Sequence, residues 1–200
     1  MMVSKQNHHE PDHPQGDLTQ SKRATEDLPD ATGTWVVDTN VILVANGQHQ
    51  GVDAASAEIC ARWLQALMQT GRLALDDRHE IVGEYLHKTH ASDGLGVGDA
   101  FLRWVLHNQD NPARIDLVSI AADPQRGYLA FPDDPRLARF DASDRKFVAV
   151  ARSHPECPAI WQATDSKWLD WAPALADHGV QVRFLCSAVV EAFHRHKFGF

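Results

Sequence analysis

The sequence predicts an α/β fold built on a mainly parallel sheet. Three observations predict it. From Thr34 onward, short runs rich in Val, Ile and Leu alternate with longer segments whose apolar residues recur at helical spacing. That alternation is the pattern of βαβ units. The opening run is apolar almost throughout, which suits a strand buried on both faces. Two strand-like runs, Trp35–Val37 and Ile160–Thr164, also end at an aspartate, Asp38 and Asp165. Open α/β sheets collect their chemistry at the carboxyl ends of strands.

The elements follow in order. Residues 1–33 are polar, with His8, His9 and His13 close together and few large apolar side chains. Such a segment cannot bury enough surface to offset its ordering entropy, so it reads as a tail. Trp35-Val36-Val37-Asp38-Thr39-Asn40-Val41-Ile42-Leu43 is a strand that stops at an acid, turns, and becomes apolar again. Residues 53–69 place Ile59, Trp63, Leu64 and Leu67 at helical spacing, and Gly71 closes them. Arg72–Asp76 is a short strand, and His79–His90 is a helix with Ile81, Tyr85 and Leu86 as its buried stripe. Val97–Leu106 is a helix, Ile115–Ile120 a strand, and Asp123–Arg139 a Pro- and Asp-rich loop. Ser143–Arg152 is a helix with Phe147, Val148 and Val150 inward. Ala159–Thr164 is a strand, Trp168–Leu175 a short helix, Val180–Leu185 a strand and Val189–His194 a final helix.

Composition bounds the function. Two hundred residues suit one domain, and 44% hydrophobic with 23% charged residues is a globular balance. No run reaches the roughly 18 apolar residues of a membrane span, and no apolar signal region opens the chain, so a cytoplasmic protein is expected. The three cysteines, Cys60, Cys157 and Cys186, lack a CxxC spacing and read as reduced, buried thiols. A net charge of −8 does not advertise nucleic-acid binding. It does fit clustered carboxylates whose charge is offset by bound cations.

Four acids stand at positions that invite chemistry. Asp38 either caps the helix that follows, as Asp often does, or faces a functional edge. Asp165, between Thr164 and Ser166, repeats the arrangement on a later strand. Right-handed crossovers bring parallel strand ends to one edge, so the two can converge. Asp144 opens a helix for which Ser143 or Asp141 supplies the cap. It serves the macrodipole or faces the same edge. Glu80 and Glu84 share a helix face, where like charges repel unless neutralised. Glu84, beside Tyr85 in the apolar part, is the better site residue. Gly83 between them leaves room for a close approach.

These residues resemble the PIN-domain nucleases. Asp38-Thr39-Asn40 follows the first strand, Glu84 lies within a helix, Asp144 starts a later helix, and Asp165 with Ser166 follows a later strand. The resemblance spans roughly residues 34–186 and implies a three-layer α/β/α domain over 34–200. Departures are an inserted stretch around 91–139, the extra acids Asp76 and Asp77, and Asp170 where a second acid often follows more closely.

Clustered carboxylates cannot all remain ionised without cations. Oxygen donors with no clustered His or Cys point to Mg²⁺ or Mn²⁺ as cofactor. The resemblance implies an endoribonuclease that hydrolyses single-stranded RNA through metal-activated water, with single-stranded DNA a further substrate. Asp38 holds the principal metal, Asp144 and Asp165 complete its ligation, Glu84 holds a second metal or orients water, and Asn40 positions Asp38 or touches substrate. Arg145, Lys146, Lys167 and Ser166 are the candidate substrate contacts, with Lys88 and the patch His194-Arg195-His196-Lys197 behind them. Trp168 and Trp171 are candidate stacking surfaces, whereas Trp161 reads as core. Rival readings are a nuclease toxin held by an antitoxin protein and a catalytically inactive RNA-binding module. A homodimer is compatible with either. The lack of GxGxxG after the first strand disfavours dinucleotide binding.

Overall fold

In the computed structural model the described residues are 28–49, 51–89 and 96–198. The chain runs β1 (Gly33–Val37), α1 (Thr39–Ala45), α2 (Ala54–Thr70), β2 (Gly71–Asp76), α3 (Glu80–Lys88) and α4 (Val97–Asn108). It continues through β3 (Ile115–Val118), β4 (Ala122–Asp123), β5 (Gly127–Tyr128), α5 (Arg145–Ser153), β6 (Ile160–Gln162), α6 (Lys167–Asp177), β7 (Val182–Phe184) and α7 (Ser187–Phe198).

Five strands form one sheet in the order β3-β2-β1-β6-β7, and every pairing in it is parallel. Parallel strands need long crossovers, and here helices supply them. The chain steps from β1 outward to β2 and β3, then returns across β1 to lay down β6 and β7. Right-handed crossovers in opposite directions put helices on both faces of the sheet. α1, α2 and α4 pack on one another, while α5 packs on β1, β2 and β6. The result is a three-layer α/β/α fold. Its direction reverses between β1 and β6, which pair at Val36 with Ile160 and Val37 with Trp161. A crevice opens beyond the carboxyl ends of the strands at such a reversal.

The core explains why the strands are continuous in apolar residues. Val36, Val37, Leu73, Ala74 and Ile160 are fully buried. Trp161 lies against Trp63 of α2 with ring centroids 4.8 Å apart. α4 comes close to α1, because a Cβ on Gly98 would meet the Ile42 carbonyl oxygen at 2.5 Å. Only glycine permits that approach.

Several sequence expectations change. Residues 28–33 are not tail: Ala31 is buried, Leu28 packs on the core, and Gly33 already belongs to β1. Residues 1–27, with the three histidines, lie outside the described residues. The apolar run after Asn40 is helix α1, a short one easily read as the continuation of a buried strand. The stretch 91–139 carries α4 and β3, an edge strand of the sheet, so most of it belongs to the fold. Within it, the Pro- and Asp-rich loop folds partly into the antiparallel β4–β5 hairpin. Cys60 and Cys186 are buried thiols with Sγ atoms 3.9 Å apart, whereas Cys157 is exposed. No helix among the described residues is long and apolar enough to cross a membrane.

Candidate active site

Each acid reaches the switch point by its own local route. Asp38 follows directly from β1. Its backbone N–H donates to the Trp161 carbonyl at 3.0 Å, which levels it with the end of β6. Its side chain caps α1, accepting from the Asn40 N–H at 2.8 Å. One carboxylate therefore both caps α1 and stands among the other acids at the strand ends. Asp38 is only 6% exposed. Burial pushes its carboxyl up to about 8; the Asp144 charge adds to this, the Asn40 N–H opposes it, and the Glu84 and Asp165 charges add further.

Asp144 stands where a 3-10 turn over Ala142–Asp144 passes into α5. Asp141 caps that turn, accepting from the Ser143 N–H at 3.2 Å. Asp144 is thereby released from capping and makes no cap bond to α5. Burial raises its pKa, as do the charges of Asp141, Glu84 and Asp165, while the Ser143 hydroxyl donates to it at 3.0 Å and holds it down.

Glu84 projects from the middle of α3. Its Oε1 accepts from the Thr39 hydroxyl at 2.8 Å. Its Oε2 is paired with the Lys146 ammonium, which also donates to the Ser143 carbonyl. Glu80, four residues earlier, is exposed and accepts from the Tyr128 hydroxyl of the hairpin. Of the two, Glu84 is the one whose charge acts on Asp38 and Asp144. A Cβ on Gly83 would meet nothing within 4 Å, so no other backbone among the described residues comes close there.

Asp165 follows β6 and accepts from the Lys167 N–H at 3.1 Å. It lines a cleft of about 510 Å³ together with Asn40, His49, Thr164, Ser166, Phe193 and His196. Asn40 fastens the two halves of the switch point. Its Oδ1 accepts from the Thr164 N–H at 2.7 Å and from the Thr164 hydroxyl at 3.1 Å. Tyr85 does the same for α3, its fully buried hydroxyl donating to the Val37 carbonyl just before Asp38. Burial raises the Tyr85 pKa, and the charges of Asp38, Glu84 and Asp76 raise it further, so the hydroxyl stays a donor.

The substrate contacts expected from sequence fare unevenly. Lys146 is 6% exposed and turned into the acids, so it is not a phosphate contact at the surface. Arg145 donates to the Arg126 carbonyl at 3.1 Å and the Phe140 carbonyl at 3.3 Å, with its guanidinium 4.8 Å from the Phe131 ring centroid. It holds the hairpin on α5 instead of facing substrate. Lys167 is exposed beside Asp141 and Asp170. Ser166 is buried but lines the cleft. Lys88 lies 3.6 Å from Glu84, and His194 is bonded to Asp170 at 2.7 Å. Trp168 is fully buried and offers no stacking face. Trp171 packs on Phe140 with centroids 4.7 Å apart. Trp161 is core, as expected.

Asp76 is fully buried and accepts from the Glu80 N–H at 2.7 Å and the Ile81 N–H at 2.9 Å. From the end of β2 it satisfies first-turn N–H groups of α3, one with each oxygen. Its partners distinguish this strand-ending acid from Asp38. The cleft residues that the sequence does not mark are His49 and Phe193, which reach the Asp165 cleft from loop and α7 positions far from it in the chain.

Oxygen donors in this crevice suit a hard divalent cation. Among the described residues, however, no three side chains of His, Cys, Asp or Glu converge to hold a metal ion between them. Mg²⁺ does not require that: it keeps several waters and is bound through one or two carboxylates plus substrate phosphates. Asp38 and Asp144 are the two acids most strongly coupled here, since the Asp144 charge acts on Asp38 more strongly than that of any other acid. The four-acid cage expected from sequence is therefore not drawn together, and Glu84 is already occupied by Lys146.

The fold and crevice define the class: an α/β protein with a cluster of acids at its topological switch point, beside a cleft that Asp165 lines. No family model, curated protein or solved structure matches this chain.

Proposed function

We propose that this chain is a metal-dependent endoribonuclease of the PIN-like class, hydrolysing phosphodiester bonds in single-stranded RNA. One observation carries the reading. A buried Asp38 carboxyl is pushed up to about 8 by burial, with Asp144, Glu84 and Asp165 adding charge repulsion from three other parts of the chain. A protein tolerates such an arrangement when a cation relieves it, and strongly perturbed acids in a cleft are candidates for function.

Asp38 and Asp144 would hold Mg²⁺ or Mn²⁺, with the Asp165 charge acting on both. The cation, when bound, supplies a water of lowered pKa and positive charge against the phosphate. The chain's own residues do the rest. Asn40 keeps the Asp165 turn in register with Asp38 through Thr164. Thr39 and Lys146 fix the Glu84 carboxylate. Phe193 offers a face for an unpaired base in the cleft beside Asp165, and His196 offers a donor for the backbone.

The test is cleavage of labelled single-stranded RNA and DNA with Mg²⁺ or Mn²⁺, comparing the wild type with Asp38→Asn. The reading expects metal-dependent cleavage of RNA that Asp38→Asn reduces to background. Equal cleavage by both proteins overturns the site. No cleavage by the wild type, with RNA binding retained, replaces the enzyme with a binding module.

A further inference from the structure

We infer that Lys146 is a built-in cation that takes the place of a second metal ion, so that the site binds a single divalent cation. The inference rests on the metal-dependent reading above and deepens it.

Lysine is almost never fully buried unless paired. Lys146 has a side chain only 8% exposed, and its ammonium is paired with Glu84 Oε2 and donates to the Ser143 carbonyl. It also lies 4.9 Å from the Phe147 ring centroid. Two acceptors and an aromatic face together offset much of the cost of removing the charge from water. The position is set by the fold. Lys146 is the second residue of α5, Ser143 belongs to the turn that carries Asp144, and Glu84 comes from α3. One ammonium thus links the helix start bearing Asp144 to the helix bearing Glu84.

Both Glu84 oxygens are already engaged. Oε1 accepts from Thr39, with Lys88 at 3.6 Å, and Oε2 is paired with Lys146. A second cation at Glu84 would have to displace a tethered positive charge and meet its repulsion. Among the described residues, Asp38, Asp144 and Asp165 are paired with no cationic side chain: their bonds run to N–H groups and to the Ser143 hydroxyl. Their negative charge remains for one divalent ion. Lys146 also holds the Glu84 carboxylate fixed whether or not that ion is present, which makes it a positioning residue.

The test counts Mn²⁺ bound to the full chain by electron paramagnetic resonance, with Asp38→Asn as the blank for binding elsewhere. The wild type is expected to bind one ion above the blank. Lys146→Met is expected to bind two, and Lys146→Met combined with Glu84→Gln is expected to return to one. Two ions in the wild type, or one in Lys146→Met, overturn the inference and leave the metal-dependent reading standing. No ion above the blank in the wild type overturns that reading itself, and the inference with it. Circular dichroism checks folding. If Lys146→Met does not fold, Lys146→Gln, which keeps a donor for the Ser143 carbonyl, takes its place with the same expected counts.

Discussion

The Thr39 hydroxyl donates to Glu84 Oε1 at 2.8 Å, joining residues 45 positions apart in the sequence. Thr39 is the first residue of α1 and Glu84 lies midway along α3. The bond makes the middle residue of Asp38-Thr39-Asn40 the link between the first strand's end and the second crossover. Thr39→Val keeps the shape and removes the donor. Hydrogen bonds to charged groups contribute about 1.5–3 kcal/mol, so urea denaturation should show a loss in that range. A loss below about 0.5 kcal/mol would show that the bond is not maintained.

Asn40 makes the corresponding link to the other half of the sheet. Its Oδ1 accepts from both the Thr164 N–H and hydroxyl across 124 residues. Asn40→Ala strands both donors, and an unmet buried donor costs about 1–3 kcal/mol. Hydrogen exchange at the Thr164 amide should accelerate while amides in β2 and β3 remain protected. Unchanged exchange at Thr164 would contradict the clamp.

Asp38 makes stability depend on pH in metal-free protein. Its folded pKa, about 8, lies above the ordinary value of 3.8. The folded state therefore binds the extra proton between those values. The stability it contributes is fully present below about pH 4 and is lost as pH rises through about 8. Unfolding in chelator should show this decline between pH 5 and pH 8, on the order of several kcal/mol at about 1.4 kcal/mol per pKa unit. Asp38→Asn should flatten it. Mg²⁺ should restore stability to the wild type near pH 8 and not to the variant.

Asp76 offers the opposite expectation. Each of its oxygens accepts from a first-turn N–H of α3, and losing a cap costs about 0.5–2 kcal/mol. Asp76→Ala should lower stability by roughly that much and leave Mn²⁺ binding unchanged. Loss of the bound ion in a folded Asp76→Ala protein would place this acid in the metal site.

Phe193 lines the cleft beside Asp165. Base stacking on an aromatic contributes about 1–3 kcal/mol per base. Phe193→Ala should raise KM for single-stranded RNA by ~10-fold or more, leaving kcat and thermal stability near wild-type values. An unchanged KM would remove Phe193 from the substrate path.

Much of this was legible in the chain because it depends on local pattern. The apolar runs around Val36 and Ile160 announce buried parallel strands, and Asp38 and Asp165 mark where those strands stop. Glu84 stands beside Tyr85 in the apolar part of its helix, and the structure leaves it half-buried where Glu80 is exposed. Arg145, Lys146 and Trp168 were illegible for a common reason. A long cationic or aromatic side chain near an acid looks the same in sequence whether it faces solvent, a carbonyl or the core. Arg145 turned to the Arg126 and Phe140 carbonyls, Trp168 to the core, and Lys146 to Glu84.

The sequence by itself determined the α/β alternation, the parallel sheet and the order of the acids. These follow from side-chain period and from the handedness of crossovers, which act over tens of residues. Only the tertiary structure decided which acids are spent. Asp76 is consumed by the α3 N-terminus, Glu84 by Thr39 and Lys146, and Asp38 is left buried among like charges. That division is set by distances and burial among elements far apart in the chain. A carboxylate's charge state and partners depend on what the fold places around it, and its neighbours in sequence do not carry that information.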